Sequence, residues 1–212
     1  MDEVGRGCLA GPVYAAAVIL PEFAELAAEV KKHRWLARVR DSKLVPAEVR
    51  EELQPLIEGW ARAWAVGVAS VEEIDKINIF HASHLAMKRA VEGLGIRPAR
   101  LIVDGNYAPK GFGCPITPVV KGDQLCLSVA AASIIAKVAR DRKMAELDLV
   151  YPGYGFASHK GYSAPVHFEA LKRLGPCEIH RRSFSPVADA YADLAMPQLE
   201  LFGEPEPDAF AE

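Results

Sequence analysis

The sequence predicts an α/β domain with a helical C-terminal part, and three observations predict it. Short β-rich runs and stretches of helical spacing follow one another along the chain instead of segregating. No internal repeat divides it. Its 212 residues are half hydrophobic and a quarter charged, which suffices for one well-buried domain. With 16 glycines and 15 prolines the composition is globular, which excludes collagen-like and wholly disordered classes. The longest apolar run, residues 13–20, has the length of a strand and falls far short of a membrane span. The opening MDEVGRG carries neither the basic n-region nor the apolar h-region of a secretory signal. Cys8, Cys114, Cys126 and Cys177 lie far apart with no CxxC pair, as free thiols in a reducing compartment do. A cytoplasmic, monomeric protein with no membrane partner is expected.

Each element has a local reason. Residues 13–20, entered through Gly11-Pro12 and closed by Pro21, read as a buried strand. Over residues 22–33, Phe23, Leu26, Ala27 and Val30 share a helical face. DSKLVPAEVREEL reads as a loop and then a helix, with Pro46 in its first turn and acids after it. Residues 63–70 alternate like a strand, and residues 80–94 form an amphipathic helix ended by Arg97-Pro98. Residues 100–104 are a short buried strand terminating in a carboxylate, followed by the turn signal Gly105-Asn106. Residues 116–121 are a further strand candidate. The longest helical pattern, residues 125–147, is rich in Ala and Ser at first and then carries Lys137, Arg140, Arg142 and Lys143. Of these, Arg140, Arg142 and Lys143 read as a solvated helix face. Residues 151–163 form a Gly- and aromatic-rich loop, and residues 164–174 a helix. From residue 188 onward there are seven acids and no Lys or Arg, so this tail carries −7 and the body +4 of a net −3. Such a segment is expected to be disordered, and the basic body hints at an anionic substrate.

Four acids stand out by position. Asp2 and Glu3 precede a Gly-rich turn, Asp104 ends an apolar strand, and Asp123 follows Lys121-Gly122 just before a helix. Carboxylates at strand ends can converge at one sheet edge, where they repel unless a cation is bound between them. Oxygen ligands with no His or Cys companion select Mg²⁺ or Mn²⁺ over zinc. A set of this kind can hold two ions about 3.5–4 Å apart, which suits phosphodiester hydrolysis. Spacing alone leaves this balanced against a plainer reading, in which Asp123 caps a helix and Asp104 makes an Asp-Gly turn. His81 and His84 have no evident third ligand and read as packing or surface residues rather than a zinc site. Cys8 has no adjacent base to make it a nucleophile. Gly5-x-Gly7-x-x-Ala10 matches the dinucleotide fingerprint loosely, but the strand before it and the helix after it are missing. Its glycines do permit backbone N–H and C=O groups to approach a sugar hydroxyl or a phosphate.

DEVGRGCLAGPV, DSKL, IDKINIFHAS, LIVDGN, KGD, SVAAASIIAKVARDRKM, YPGYGFASHKGY and HRRSFSPV, in this order, resemble bacterial ribonuclease HII from residue 2 to about residue 187. The resemblance implies a ribonuclease H-like fold over residues 1–187, a mixed central sheet flanked by helices with a C-terminal helical part, followed by the acidic tail of residues 188–212. It implies a metal-dependent endonuclease acting in ribonucleotide removal and RNA-primer clearance. Such an enzyme cleaves the RNA strand of RNA/DNA hybrids, and cuts 5′ of ribonucleotides embedded in duplex DNA. It leaves 3′-hydroxyl and 5′-phosphate ends and uses Mn²⁺ or Mg²⁺. Asp2, Glu3, Asp104 and Asp123 match the family's catalytic, metal-binding carboxylates. Gly5, Arg6 and Gly7 match the segment that contacts the 2′-hydroxyl at the ribose–deoxyribose junction. Tyr162 matches the tyrosine that packs on the following deoxyribose, and Lys43 resembles a phosphate-contacting lysine. Lys160 and Lys137 are placed to neutralise phosphates as well. These roles agree with the chemistry: the 2′-hydroxyl alone separates RNA from DNA at one nucleotide, and backbone groups read it whatever the base.

Two departures qualify the match. Leu44-Val45 follow DSK where the family commonly has a further Lys, and only Met1 precedes Asp2 where the family has an apolar strand. Either the start lies upstream, or a central strand loses ladder hydrogen bonds and buried area. The second case makes a non-catalytic nucleic-acid-binding protein the alternative expectation. In the tail, Gln198, Leu199, Leu201 and Phe202 resemble the short peptide by which replication and repair proteins dock on the bacterial sliding clamp. One polar anchor and a few apolar side chains would enter a preformed groove.

Overall fold

The computed structural model describes the backbone of residues 1–201 and the side chains of residues 1–193. Strands β1 (Asp2–Val4), β2 (Val13–Ile19) and β3 (Ala63–Ala69) form one antiparallel ladder in that order, with Asp2 opposite Ala16 and Tyr14 opposite Val68. Strands β4 (Leu101–Asp104) and β5 (Ile116–Val119) form a second, parallel ladder. Met1 joins the two. Its α-amino group donates to the Ile102 carbonyl at 2.7 Å, and its own carbonyl accepts from the Asp104 N–H at 3.3 Å. The strands therefore run β3-β2-β1-β4-β5 in a mixed sheet.

Helices α1 (Leu26–Lys32), α2 (Ala47–Trp60), α3 (Val71–Glu92), α4 (Gly122–Leu125), α5 (Leu127–Val150), α6 (Phe156–His159), α7 (Pro165–Leu174) and α8 (Ser185–Leu201) surround it. The period-two alternation of β2 decides the layering. Val13, Ala15 and Ala17 point into a core shared with Ile74, Ala82, Ala86 and Ala90 of α3. Ala16 and Val18 point the other way, into a core with Leu53 and Ile57 of α2 and Ala131, Ile134, Ile135 and Val138 of α5. Small residues let both helices close on the sheet. At Gly67 a Cβ would stand 2.0 Å from the Ala86 carbonyl oxygen, so β3 admits α3 only because it carries no side chain there.

Helix α3 begins with a capping box between Ser70 and Glu73, well before residue 80, where the sequence pattern starts. Asn78 (φ 65°, ψ 164°) interrupts it, and its side-chain oxygen accepts the His81 N–H at 3.1 Å, restarting the helix. The acidic turn 72–75 and this break hide the first half from a periodicity reading. Two further expectations change. The loop of residues 151–163 contains α6, one short turn between left-handed Gly155 and Lys160. The chain also stays helical past residue 188, where the tail was expected to begin. Val187 is fully buried against Leu9 and Leu171, and the alanine-rich run behind it favours helix. No described helix is long and apolar enough to cross a membrane.

Candidate active site

The carboxylates singled out in the sequence come from three elements that meet where the two ladders join. β1 supplies Asp2 and Glu3, the end of β4 supplies Asp104, and α4 supplies Asp123. Asp2 and Asp123 are buried. Asp104 accepts the Gly122 N–H at 2.7 Å, which ties the strand end to α4. Asp2 accepts the N–H of Glu3 at 2.8 Å. Glu3 spends one oxygen on Arg6 at 3.0 Å, while its Oε2 is buried with no hydrogen-bond partner.

The like charges act on one another. Burial, then Glu3 and Asp104, push the Asp2 carboxyl well above the usual range. Burial, then Asp104 and Asp41, push Asp123 up as well. Asp41 is a fifth acid that the sequence reading missed. It is buried and exchanges a hydrogen bond with Asp123. Its own pKa is lowered: burial opposes this, but the Lys43 N–H at 3.0 Å and the Gln124 amide at 3.3 Å outweigh it. In the sequence Asp41 reads only as part of a turn. As the side chains stand, no three acidic, His or Cys groups among the described residues are close enough together to hold a metal ion. Each is turned toward a protein donor or a neighbouring acid. The donor set nevertheless fits a hard divalent cation: all its groups are oxygens, two are pushed toward protonation by burial and by neighbouring acids, and one buried oxygen has no partner.

Around this cluster lie the other expected residues. Gly5 takes φ 92°, and a Cβ there would strike Arg140 Nε at 2.2 Å. Gly7 has nothing within 4 Å of such a position, so it leaves room for a ligand. Arg6 is exposed and pairs with Glu3. Lys43 sits on a 3-10 turn (Ser42–Leu44) and is exposed. Lys160 is left-handed at φ 53°, and its ammonium donates to the Ala157 carbonyl. The Tyr162 ring, 38% exposed, has Lys137 Nζ at 5.7 Å and Arg140 Cζ at 5.8 Å, and its hydroxyl neighbours the Cys8 thiol. Lys137 is already paired with Asp141 at 2.7 Å.

Arg140 corrects the sequence reading. It is not part of a solvated face but fully buried, donating to the carbonyls of Pro12 (3.0 Å), Lys160 (2.9 Å) and Ala10 (3.2 Å). Arg181, also fully buried, donates to Gly11, to Arg6 at 2.8 Å and to Gly5 at 2.7 Å. Burial pulls its pKa down to about 10. Both guanidinium groups turn the carbonyls of residues 5–12 inward, so the loop is held from beneath. His84, read as a packing residue, stacks on Tyr107 beside a pocket of about 100 Å³ that Glu3, Arg6 and Asp104 also line. Gln198, Leu199 and Leu201 fall on α8 beyond the described side chains, and Phe202 lies outside the described residues.

Comparison with known proteins agrees with this fold. Residues 1–187 match the family described as Ribonuclease HII. A ribonuclease HII of Caulobacter vibrioides is 53% identical over 196 residues, covering 92% of this chain and 88% of its own length. Among solved structures, ribonuclease H2 from Pyrococcus horikoshii superposes with a TM-score of 0.71 at 28% identity, over 92% of this chain and 96% of its own. Ribonuclease HII of Archaeoglobus fulgidus, solved in complex with PCNA, gives 0.71 at 28%, over 89% and 94%. The expected ribonuclease H-like fold is the one observed, and the chain, an endonuclease of ribonuclease H type, belongs to the ribonuclease HII family.

Proposed function

We propose that the protein is a divalent-metal-dependent, junction-reading nuclease that cleaves RNA in RNA/DNA hybrids and cuts 5′ of single ribonucleotides in duplex DNA. Products carry 3′-hydroxyl and 5′-phosphate ends, and the work is ribonucleotide removal and RNA-primer clearance in the cytoplasm. The observation that carries this reading is the buried, partnerless Oε2 of Glu3 within a group of acids in which burial and neighbouring carboxylates push Asp2 and Asp123 up. Asp2, Glu3, Asp104 and Asp123 would hold Mg²⁺ or Mn²⁺, drawn inward from their present donors. A cation bound there would supply a Lewis acid and lower the pKa of a water.

The chain's own residues do the rest. The backbone of Gly5, Arg6 and Gly7 presents hydrogen-bonding groups to a 2′-hydroxyl, and open space at Gly7 lets the ribose come close. Tyr162 offers a ring face to the next sugar, where a second 2′-hydroxyl would crowd it. Lys43 and Lys160 offer charge to phosphates without reading sequence. The tail residues Gln198, Leu199, Leu201 and Phe202 dock on the sliding clamp; the complex of the A. fulgidus relative with PCNA supports a clamp partner in this family. The nuclease is tested on a duplex with one embedded ribonucleotide. Cutting 5′ of it in Mn²⁺ and none in EDTA is expected, whereas binding without cutting in Mn²⁺ overturns the reading. For the tail, a peptide of residues 194–206 should bind the clamp more tightly than its Leu201→Ala/Phe202→Ala form.

A further inference from the structure

Behind Tyr162 lies a run of imidazoles that the nuclease chemistry does not use. His167 of α7 and His180 are both buried almost completely, and their Nε2 atoms face each other at 3.1 Å. Two such nitrogens can bond only if one carries a proton and the other does not, and the two ends of the run decide which. At one end the backbone N–H of Cys177, which can only donate, points at His180 Nδ1 at 2.9 Å. The Cys177 carbonyl, farther from this nitrogen at 3.3 Å, already takes the His180 backbone N–H at 3.0 Å, so His180 Nδ1 holds a lone pair and its proton sits on Nε2. At the other end the carbonyl of Tyr162, which can only accept, lies 2.8 Å from His167 Nδ1. His167 therefore carries its proton on Nδ1 and accepts at Nε2. Both ends demand the same direction: Cys177 N–H to His180, His180 to His167, His167 to Tyr162.

The pair is also neutral. Burial, then the neighbouring His167, bring the His180 pKa down to about 4, and burial lowers that of His167. His159, stacked on His167 with ring centres 4.4 Å apart, makes a parallel attachment by accepting the Gly161 N–H at 3.2 Å and donating to the Tyr154 carbonyl at 2.8 Å. An apolar pair of similar volume would fill this space without the cost of burying four ring nitrogens. What the imidazoles add is a directed hydrogen bond that ends on the backbone of one residue, Tyr162.

We propose that His167, oriented by His180, is the positioning residue for Tyr162, a relay of two neutral imidazoles that sets where the tyrosine ring stands over the sugar beside the cleaved junction. This rests on the role given to Tyr162 above and says how the fold holds that side chain in place.

Two substitutions separate the two ends of His167. In His167→Asn the amide nitrogen replaces Nδ1 and keeps the donor to Tyr162. In His167→Gln the amide group replaces Nε2, answers His180 and leaves the Tyr162 carbonyl without that donor. The readout is kcat/KM on a duplex with one ribonucleotide, with thermal melting followed in parallel. His167→Gln is expected to lose about tenfold, the effect of one lost buried hydrogen bond, and His167→Asn to recover most of it. In a Tyr162→Ala background, His167→Gln should cost nothing further, because its effect passes through the ring. A persistent loss in that background makes His167 merely structural and overturns the proposal. If Tyr162→Ala alone leaves cleavage unchanged, the reading of Tyr162 itself falls, and the positioning role falls with it. Long-range ¹H–¹⁵N correlation spectra test the relay independently of activity. They should show His180 protonated at Nε2 and His167 at Nδ1; the opposite tautomers refute it.

Discussion

Asp104 holds the Gly122 N–H with one oxygen and raises the pKa of Asp2 and Asp123 with its charge, so its two roles can be separated. Asp104→Asn keeps an acceptor for Gly122 but removes a negative charge. Cleavage should fall by at least about a hundredfold, while the melting temperature in EDTA stays level or rises because repulsion is relieved. Near-normal turnover would remove Asp104 from the site. His180 gives a prediction with a defined pH window. Its folded pKa is about 4 against an ordinary 6.5, so the unfolded chain binds the proton more readily. Its contribution is therefore complete above pH 6.5 and lost as pH falls toward 4, about 3 kcal/mol in all. The groups facing it are His167, His159, Cys177 and Tyr154. Denaturant unfolding across this range should show a shallower slope in His180→Gln, and equal slopes would refute the assignment. The four acids stood out in the sequence because Asp2 and Glu3 precede a Gly-rich turn, Asp104 ends a strand before Gly105, and Asp123 follows Gly122 before a helix. Asp41, Arg140, Arg181, His167 and His180 were not. Their partners are far along the chain, Arg181 and Gly5 being 176 residues apart, and no local period marks a polar residue that burial has claimed.

The elements read best where one face is plainly apolar. β2, β3, α5 and α7 lie within a few residues of their predicted bounds, since alternation or helical spacing survives intact through each. The first half of α3, the turn α6 and helix α8 escaped because capping, left-handed residues and one buried valine decide them instead. β1 invites a test of its own. It pairs with β2 only from Asp2 opposite Ala16 onward, and past Met1 an apolar groove of about 470 Å³ runs between Val18, Ile19, Leu20, Phe23, Leu101 and Ile102. Burial also lowers the Met1 α-amino pKa to about 6, and in an extended chain an amide N–H would make its bond to Ile102 without a buried charge. A variant extended upstream of Met1 by an apolar pentad should lay a strand in this groove. Burying two aliphatic side chains there is worth about 3–6 kcal/mol, so the melting temperature should rise. An unchanged melt would show that the groove takes no strand.

Over the whole molecule, alternating strand and helix signals were enough for the fold class, because an α/β core needs only apolar faces in sequence order. The way residues 181–183 close on the N-terminal loop and on α3 was not visible. Arg181 reaches the carbonyls of Gly5, Arg6 and Gly11, and Asp75 of α3 accepts from the N–H groups of Arg182 and Ser183 at 3.0 and 2.9 Å. Arg181→Met should leave the carbonyls of Arg6 and Gly11 without this donor in the interior, weaken the hold on Gly5, and cost about 3 kcal/mol or more. A melting temperature within a degree of the parent would show that the loop holds itself. The same closure sets a clock on biosynthesis. The residues that shape the loop around Gly5 are among the first made, and Arg181, one of the two guanidinium groups that hold it, follows Gly5 by 176 residues. A nascent chain still lacking residue 181 carries its acidic cluster with a loop that Arg140 alone braces. Nuclease activity on hybrids should thus arise only when translation is nearly complete, and a ribosome stalled before that residue should hold a silent enzyme.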